Sequence, residues 1–408
     1  MAGENMIVGL DIGTSKVTVA IAEVRPGEPL EIIGVGTSPS SGLRRGVVIN
    51  IEATLRSVVD AIESAEQMAG REVKRVVSGI AGSHISGLNS SGVVAVTGRG
   101  REITPADIAR VIENARAVSI PMDREILHVI PRNYVIDEQG GIKDPLDMIG
   151  VRLEVEVHLI TGSVTAAQNL VKCVNRAGFE IEQVVFNSIA SAEAVLSQDE
   201  KDLGVLLIDI GGGTTNVMVY QDGAPFSSFV LPMGGSQVTG DLSIMLRTSV
   251  ESAEKIKRED GCAYMALVEE GEPVLVPGVG GRAPIQCTRE QICEIVQPRM
   301  GEIFRLVRER LDRQRMLDRV AGGLVLTGGG ALLPGVVELA QDVFDLGGRI
   351  GQPSRHGGLA DRYQSPEFST AVGLVLRTWH SGGGDVPGGT ERRKAGLKRV
   401  TQWMKHFF

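Results

Sequence analysis

With 408 residues, 42% hydrophobic and 23% charged, the chain has apolar mass for two or three domains of about 150 residues each. A net charge of −8 argues against a protein that binds nucleic acid over its whole surface. Four cysteines with no C-x-x-C pair, and six scattered histidines, argue against structural zinc and a secreted disulfide framework.

The predicted elements open at residues 6–23, MIVGLDIGTSKVTVAIAE: an apolar strand, an Asp-Ile-Gly turn and a second alternating strand. With Glu4 just before it, this opening does not read as a signal peptide, and the protein is expected inside the cell. Residues 51–69 read as an amphipathic helix with Leu55, Val58, Val59 and Ile62 on its apolar face. Residues 84–161 look inserted. They start with a predicted hairpin around 92–97, followed by a helix with Thr104 as N-cap, Pro105 at its first position and Asp107 beneath, reaching about Val118. Two β-rich runs, 126–135 and 153–160, close the insert.

At residues 204–223, GVLLIDIGGGTTNVMVYQDG, the opening pattern returns, 198 residues after the first. A helix is predicted over 241–259 and a longer one over 288–317, with a break or kink near Pro298. A strand and glycine turn follow at 322–336, then a flexible linker at 381–390, SGGGDVPGGT.

A single Asp-Ile-Gly turn is ordinary hairpin chemistry; two in register, with Gly328, Gly329 and Gly330 after a third strand, point to a nucleotide held between two domains. Phosphates need many backbone N–H donors at short range, which glycine and small hydroxyl residues permit. Thr14, Ser15, Thr214 and Thr215 add hydroxyls and Lys16 a point charge. Asp11 and Asp209 beside phosphates make sense with a hydrated Mg²⁺ between them. There is no Walker loop.

These motifs resemble the actin/Hsp70/hexokinase superfamily, and the whole chain is similar to its FtsA family of bacterial cell-division proteins. SGIAGSHI (78–85) leads into the insert and DPLDMIGVRLEVEVHLITG (144–162) leads out, where FtsA has its relocated subdomain. The resemblance implies an α/β, actin-like fold of two domains with duplicated cores around an ATP cleft. Residues 1–83 and 162–200 would form the first domain, 84–161 the inserted subdomain, 201–228 and 301–380 the base of the second, and 229–300 its upper lobe. Asp11 to Lys16, including Gly13, would be the first phosphate loop, and Asp209 to Asn216, including Gly211, Gly212 and Gly213, the second. Gly328–Gly330 would be the adenosine turn, Gly234 and Gly235 the entry to the upper lobe, and Glu254 and Lys257 the grip on adenine and ribose.

Partners implied by the resemblance are the tail of the tubulin-like FtsZ, bound through about 229–298, other division proteins on the insert, and further copies head to tail. One position departs from hydrolysing relatives. Asn187 stands where they open a helix with a carboxylate, and an amide cannot take a proton from attacking water. ATP binding with at most slow hydrolysis is expected. A small-molecule kinase of the superfamily and a PilM-like pilus-assembly adaptor are the alternatives.

The tail differs from the rest. Residues 391–408 carry +5, which leaves −13 on the preceding 390. Residues 381–391 read as linker and 392–408 as a helix, with Leu397, Val400, Trp403, Met404, Phe407 and Phe408 on one stripe and Lys398, Arg399 and Lys405 opposite. Bulky apolar groups facing a basic side describe a helix lying in an anionic membrane surface. Six half-buried side chains give about 6 kcal/mol gross and each basic residue about 1 more, much of it offset by ordering the segment. Attachment is therefore reversible for one copy and strong for several linked copies. The expected place is the cytoplasmic face of the inner membrane at the division septum.

Overall fold

The computed structural model describes residues 6–25, 27–97, 99–269, 271–353 and 363–382. β1 (Met6–Ile12) and β2 (Lys16–Glu23) form the first hairpin, Ile12 opposite Val17, and β3 (Glu31–Pro39) pairs antiparallel to β2. Both faces of β1 and β2 are covered, which is why they read as nearly continuous apolar runs. After the ribbon β4 (Leu43–Arg44) and β5 (Val47–Val48), helix α1 (Ile51–Ala69) lies on β3. Gly36 makes that contact possible: a Cβ there would stand 2.1 Å from the Ala61 carbonyl oxygen. Asn50 caps α1, accepting the Ala53 N–H, and Gly70 ends it at φ 62°. β6 (Arg75–Ile80) runs parallel to β1.

The insert contains β7 (Ser86–Ala95), α2 (Pro105–Arg116), β8 (Arg124–Ile136), β9 (Gln139–Ile142) and β10 (Arg152–Ser163). No hairpin forms at 92–97: β7 runs through Gly92 to Ala95, paired with β10 along its length. Gly92 is no turn residue; it clears the way for α2, whose Val111 carbonyl would meet a Cβ at 2.3 Å. Thr104 and Asp107 form the reciprocal capping box at the start of α2.

The chain then returns through α3 (Val164–Arg176) and β11 (Glu180–Phe186), completing a five-stranded sheet of order β11-β6-β1-β2-β3. α4 (Asn187–Val195) and α5 (Gln198–Leu203) lead into the second half.

There, β12 (Leu206–Ile210) and β13 (Thr215–Gln221) repeat the opening hairpin, with β14 (Ala224–Leu231) beside β13. The helix predicted over 241–259 is two: α6 (Gly235–Met245) and α7 (Val250–Glu259). Arg247, at φ 52°, breaks the run, and Ser249 recaps it by accepting the Ser252 N–H. A small ribbon, β15 (Pro273–Val276) with β16 (Ile285–Thr288), precedes α8 (Arg289–Asp312). α8 continues through Pro298, where a break or kink was expected, so the helix is not broken there. One backbone bond is lost there, while Ile292, Val296, Met300, Ile303 and Phe304 stay buried on either side and hold the helix on the core.

β17 (Leu324–Thr327) pairs parallel to β12, α9 (Val336–Phe344) follows, and β18 (Gly348–Ile350) closes the edge. The last described helix, α10 (Ser369–Ser381), packs back on the first half. A Cβ at Gly373 would lie 1.8 Å from the Ala190 oxygen of α4, and Ala371, Val372 and Leu374 join the first core.

The second sheet does not stop at β14. Its order is β18-β17-β12-β13-β14-β7-β10-β8-β9, so the insert's strands extend it through Phe229 opposite Ser86. His158 fastens the seam. Asn89 Nδ2 donates to the Phe226 carbonyl, which turns Asn89 Oδ1 toward His158 Nδ1 at 2.7 Å. Nδ1 therefore carries the proton, and Nε2 accepts from Ser228 Oγ at 2.8 Å. Burial, helped by Arg132, pushes the His158 imidazole down to about 4, so it stays neutral.

Candidate functional site

Each hairpin turn is closed in the same way, Gly13 N–H donating to the Lys16 carbonyl at 3.1 Å and Gly211 N–H to the Thr214 carbonyl at 2.9 Å. The two turns meet tip to tip. A Cβ on Gly212 would fall 1.8 Å from Ser15 Oγ, and one on Gly213 would fall 2.7 Å from Thr14 Oγ1. Glycine is required there by close approach. Thr14 Oγ1 also accepts the Gly46 N–H at 3.1 Å, tying the first turn to the β4–β5 ribbon.

Behind the turns stand Asp11 and Asp209, one from each half. Burial pushes the Asp11 carboxyl up to about 7, and the Asp209 charge adds to the rise, against Lys16 and the Asn187 amide. Burial raises Asp209 as well, against hydrogen bonds from Ser191, Thr370 and Asn216. Two carboxylates close enough for the charge of Asp209 to act on Asp11 are a setting for a hard cation with oxygen ligands, which would remove their repulsion. Asn216 Oδ1, beside Asp209, is buried without a hydrogen-bond partner.

The second turn is buttressed by α6: Gly235 N–H donates to Gly211 O at 2.9 Å and Ser236 N–H to Gly212 O at 2.8 Å. A Cβ on Gly234 would strike Gly211 O at 2.3 Å. Above this junction Lys257 Nζ donates to Glu254 Oε2 at 2.6 Å, Thr239 Oγ1 at 2.9 Å and the Gly235 carbonyl at 3.3 Å. Burial pushes the Glu254 carboxyl up, but Lys257 and Thr239 outweigh it and hold it below the usual range. Thr215 Oγ1 donates to Met233 O at 2.9 Å.

The third glycine turn abuts the same carboxylate. Gly328 sits at φ 81°, and a Cβ there would meet Asp209 Oδ1 at 2.3 Å; at Gly330 it would meet Ile210 Cγ2, also at 2.3 Å. Gly329 has room for a side chain, its nearest neighbour being Glu367 Cβ at 4.0 Å. Every nucleotide and metal residue expected from the sequence thus lies in one convergence of β1–β2, β12–β13, α6, α7 and the turn after β17. Lys16 is the exception in aim. Its ammonium pairs with Glu367 at 2.8 Å and lies 4.2 Å over the Phe368 ring.

Sequence reasoning missed Ser191, Thr370 and Glu367, which touch Asp209 or Lys16 from α4 and from the chain around the start of α10. A signal existed only for Ser191, four residues after Asn187 on the helix the motif opens. Asn187 Nδ2 itself donates to Asp11 Oδ1 at 3.1 Å, and neither it nor its buried neighbour Ser188 is a carboxylate. An open concavity of about 460 Å³ at the end of α9, lined by Gln341, Asp342, Asp345, Leu346 and Gly347, shares no residue with this site.

The membrane-binding residues expected at 397–408, and nearly all of the linker, lie outside the described residues. Among the described residues no helix is long and apolar enough to cross a membrane.

Two half-molecules with duplicated Asp–Gly hairpins closing on one another define an actin-like α/β protein. The solved PilM–PilN type IV pilus biogenesis complex shares this fold at TM-score 0.66, with 18% identity over 91% of this chain and 98% of that one. MreB5 of Spiroplasma citri bound to ADP shares it at 0.55, with 14% identity over 92% and 96%. The family model described as cell division protein FtsA matches residues 206–373, and that of the SHS2 domain inserted in FtsA matches 82–161. The cell division protein FtsA of Pseudomonas aeruginosa is 47% identical over 91% of this chain and 88% of its own length. The chain belongs to the FtsA family of cell division proteins.

Proposed function

We propose that this chain is an ATP-binding adaptor that fastens the FtsZ ring to the membrane and recruits later division proteins. The observation that carries the reading is the contact between the two Asp–Gly hairpins, which leaves Asp11 and Asp209 as a carboxylate pair at the joint of the halves. The residues fit a nucleotide with Mg²⁺. Backbone N–H groups of the two glycine turns, other than those of Gly13 and Gly211, which close the turns, would hold phosphates, Asp11 and Asp209 would hold the ion through water, and Glu254 and Lys257 would border the base and ribose. Bound Mg²⁺–ATP would supply a charge bridge between the halves. The chain's own part is to orient and enclose it, and no carboxylate at Asn187 or Ser188 is present to take a proton from water. Turnover is accordingly slow, and nucleotide acts mainly on domain closure and head-to-tail self-association. MreB5 of Spiroplasma citri, which shares this fold, is described as bound to ADP, and that supports the nucleotide reading.

FtsZ's tail is assigned to the upper lobe, about 229–298, other division proteins to the insert, and anionic lipid to the terminal helix. That places the protein on the cytoplasmic face of the inner membrane at the septum. Family membership supports these roles over a kinase or a pilus adaptor. Co-sedimentation with anionic liposomes, with and without ATP, FtsZ and the last seventeen residues, tests them together. Trp403→Glu or Phe407→Glu is expected to abolish liposome flotation; flotation at the wild-type level would remove the membrane role.

A further inference from the structure

Helix α4 joins the halves, and two of its polar side chains, one turn apart, each hold a carboxylate from a different half. Asn187 Nδ2 donates to Asp11 Oδ1 at 3.1 Å, and Ser191 Oγ donates to Asp209 Oδ2 at 2.8 Å. Residues four apart share a helix face, so one rigid surface fixes both. Thr370, in the first turn of α10, completes the cluster: its Oγ1 lies 2.9 Å from Ser191 Oγ and 3.5 Å from Asp209 Oδ2. Ser191 is fully buried in a helix of small residues, where alanine would pack equally well and leave Asp209 short of a donor.

We infer that Asn187, Ser191 and Thr370 are positioning residues for the divalent cation. They set the spacing and aim of Asp11 and Asp209, so that the ion's water shell is shared between the two halves. The inference rests on the nucleotide reading above and deepens it. The helix that carries a carboxylate in the hydrolysing relatives here orients the ion's carboxylates and adds no base, which separates ion binding from turnover. Because α4 touches both carboxylates, a shift of either half moves one hydrogen bond against the other, and ion affinity follows closure.

The test uses the full chain and a fluorescent ATP analogue, titrated in EDTA and across a range of MgCl₂, with Mn²⁺ electron paramagnetic resonance as a direct ion readout. Thr370→Val, which swaps the hydroxyl for a methyl of equal size, is the primary variant. Ser191→Ala and Asn187→Leu accompany it, and circular dichroism checks each fold. Analogue affinity in EDTA should stay within about twofold of wild type. The Mg²⁺ concentration giving half-maximal tightening should rise about tenfold in the Ser191 and Asn187 variants and less in Thr370→Val. Mn²⁺ affinity should fall in parallel. Folded variants with an unchanged Mg²⁺ midpoint would overturn the inference, as would equal weakening with and without the ion, which marks a merely structural role. A wild-type chain that binds the analogue with no Mg²⁺ dependence would take the metal reading down as well.

Discussion

Replacing Gly212 with alanine asks whether the two hairpins close on each other around a ligand. The new Cβ would stand 1.8 Å from Ser15 Oγ, 2.9 Å from Ser15 Cβ and 3.4 Å from Ser15 N. Rotating Ser15 removes the first clash and leaves the second. Carbon pairs settle at roughly 3.5–4.0 Å, so the turns must part by somewhat under an ångström. Overpacking of this kind costs about 1–3 kcal/mol, and that is about 5- to 150-fold against the closed arrangement. A phosphate chain touching both turns loses the same factor. Gly212→Ala is therefore expected to weaken binding of a fluorescent ATP analogue by about tenfold or more. Ser15→Gly in the same chain removes the opposing Cβ and should recover most of the loss. Fluorescence titration of wild type, both single variants and the double variant closes the cycle. Wild-type binding by Gly212→Ala, or no recovery in the double variant, would refute closure of the turns over a shared ligand.

Two further outcomes follow from the seam and the lobe. His158→Leu leaves the buried Ser228 hydroxyl without its partner while water replaces the imidazole at exposed Asn89, and should destabilise the protein by about 1–3 kcal/mol in urea melts at pH 7. The native imidazole titrates at about 4 and the unfolded one at about 6.5, so the unfolded chain binds the extra proton between those values. Wild-type stability should thus fall as pH drops from 6.5 to 4, narrowing its lead over His158→Leu by about 2–3 kcal/mol; a constant lead across that window would contradict the assignment. Lys257→Met, which frees Glu254, Thr239 and the Gly235 carbonyl, should weaken the analogue about tenfold with little change in melting temperature. A large melting shift at unchanged affinity would make that cluster structural.

Much of the site was legible because its chemistry is local. A turn packed tip to tip against another demands glycine at fixed offsets from an aspartate, and the demand repeats in both halves. Helix α1 was equally readable, since its apolar positions repeat at helical spacing over 51–69. Errors arose where a residue served a distant neighbour. Gly92 looked like a turn and is a landing place for α2, and Pro298 looked like a break in a helix that its buried face holds together. Lys16, a cation in the first glycine turn, is drawn to Glu367, 351 residues away, which no local pattern announces.

By itself the sequence determined the duplicated hairpins, the elements flanking the insert and the charge reversal of the tail, because turn chemistry and periodicity act over a few residues. Tertiary structure alone decided which half owns the insert. Its chain leaves and re-enters the first half, yet its sheet is hydrogen-bonded into the second through Ser86, Asn89, His158 and Ser228. Strand pairing is a contact between backbones far apart in sequence, and any exposed edge of suitable length can supply it. The choice of edge depends on how buried side chains such as His158 find partners, and that is settled only when the chain is folded.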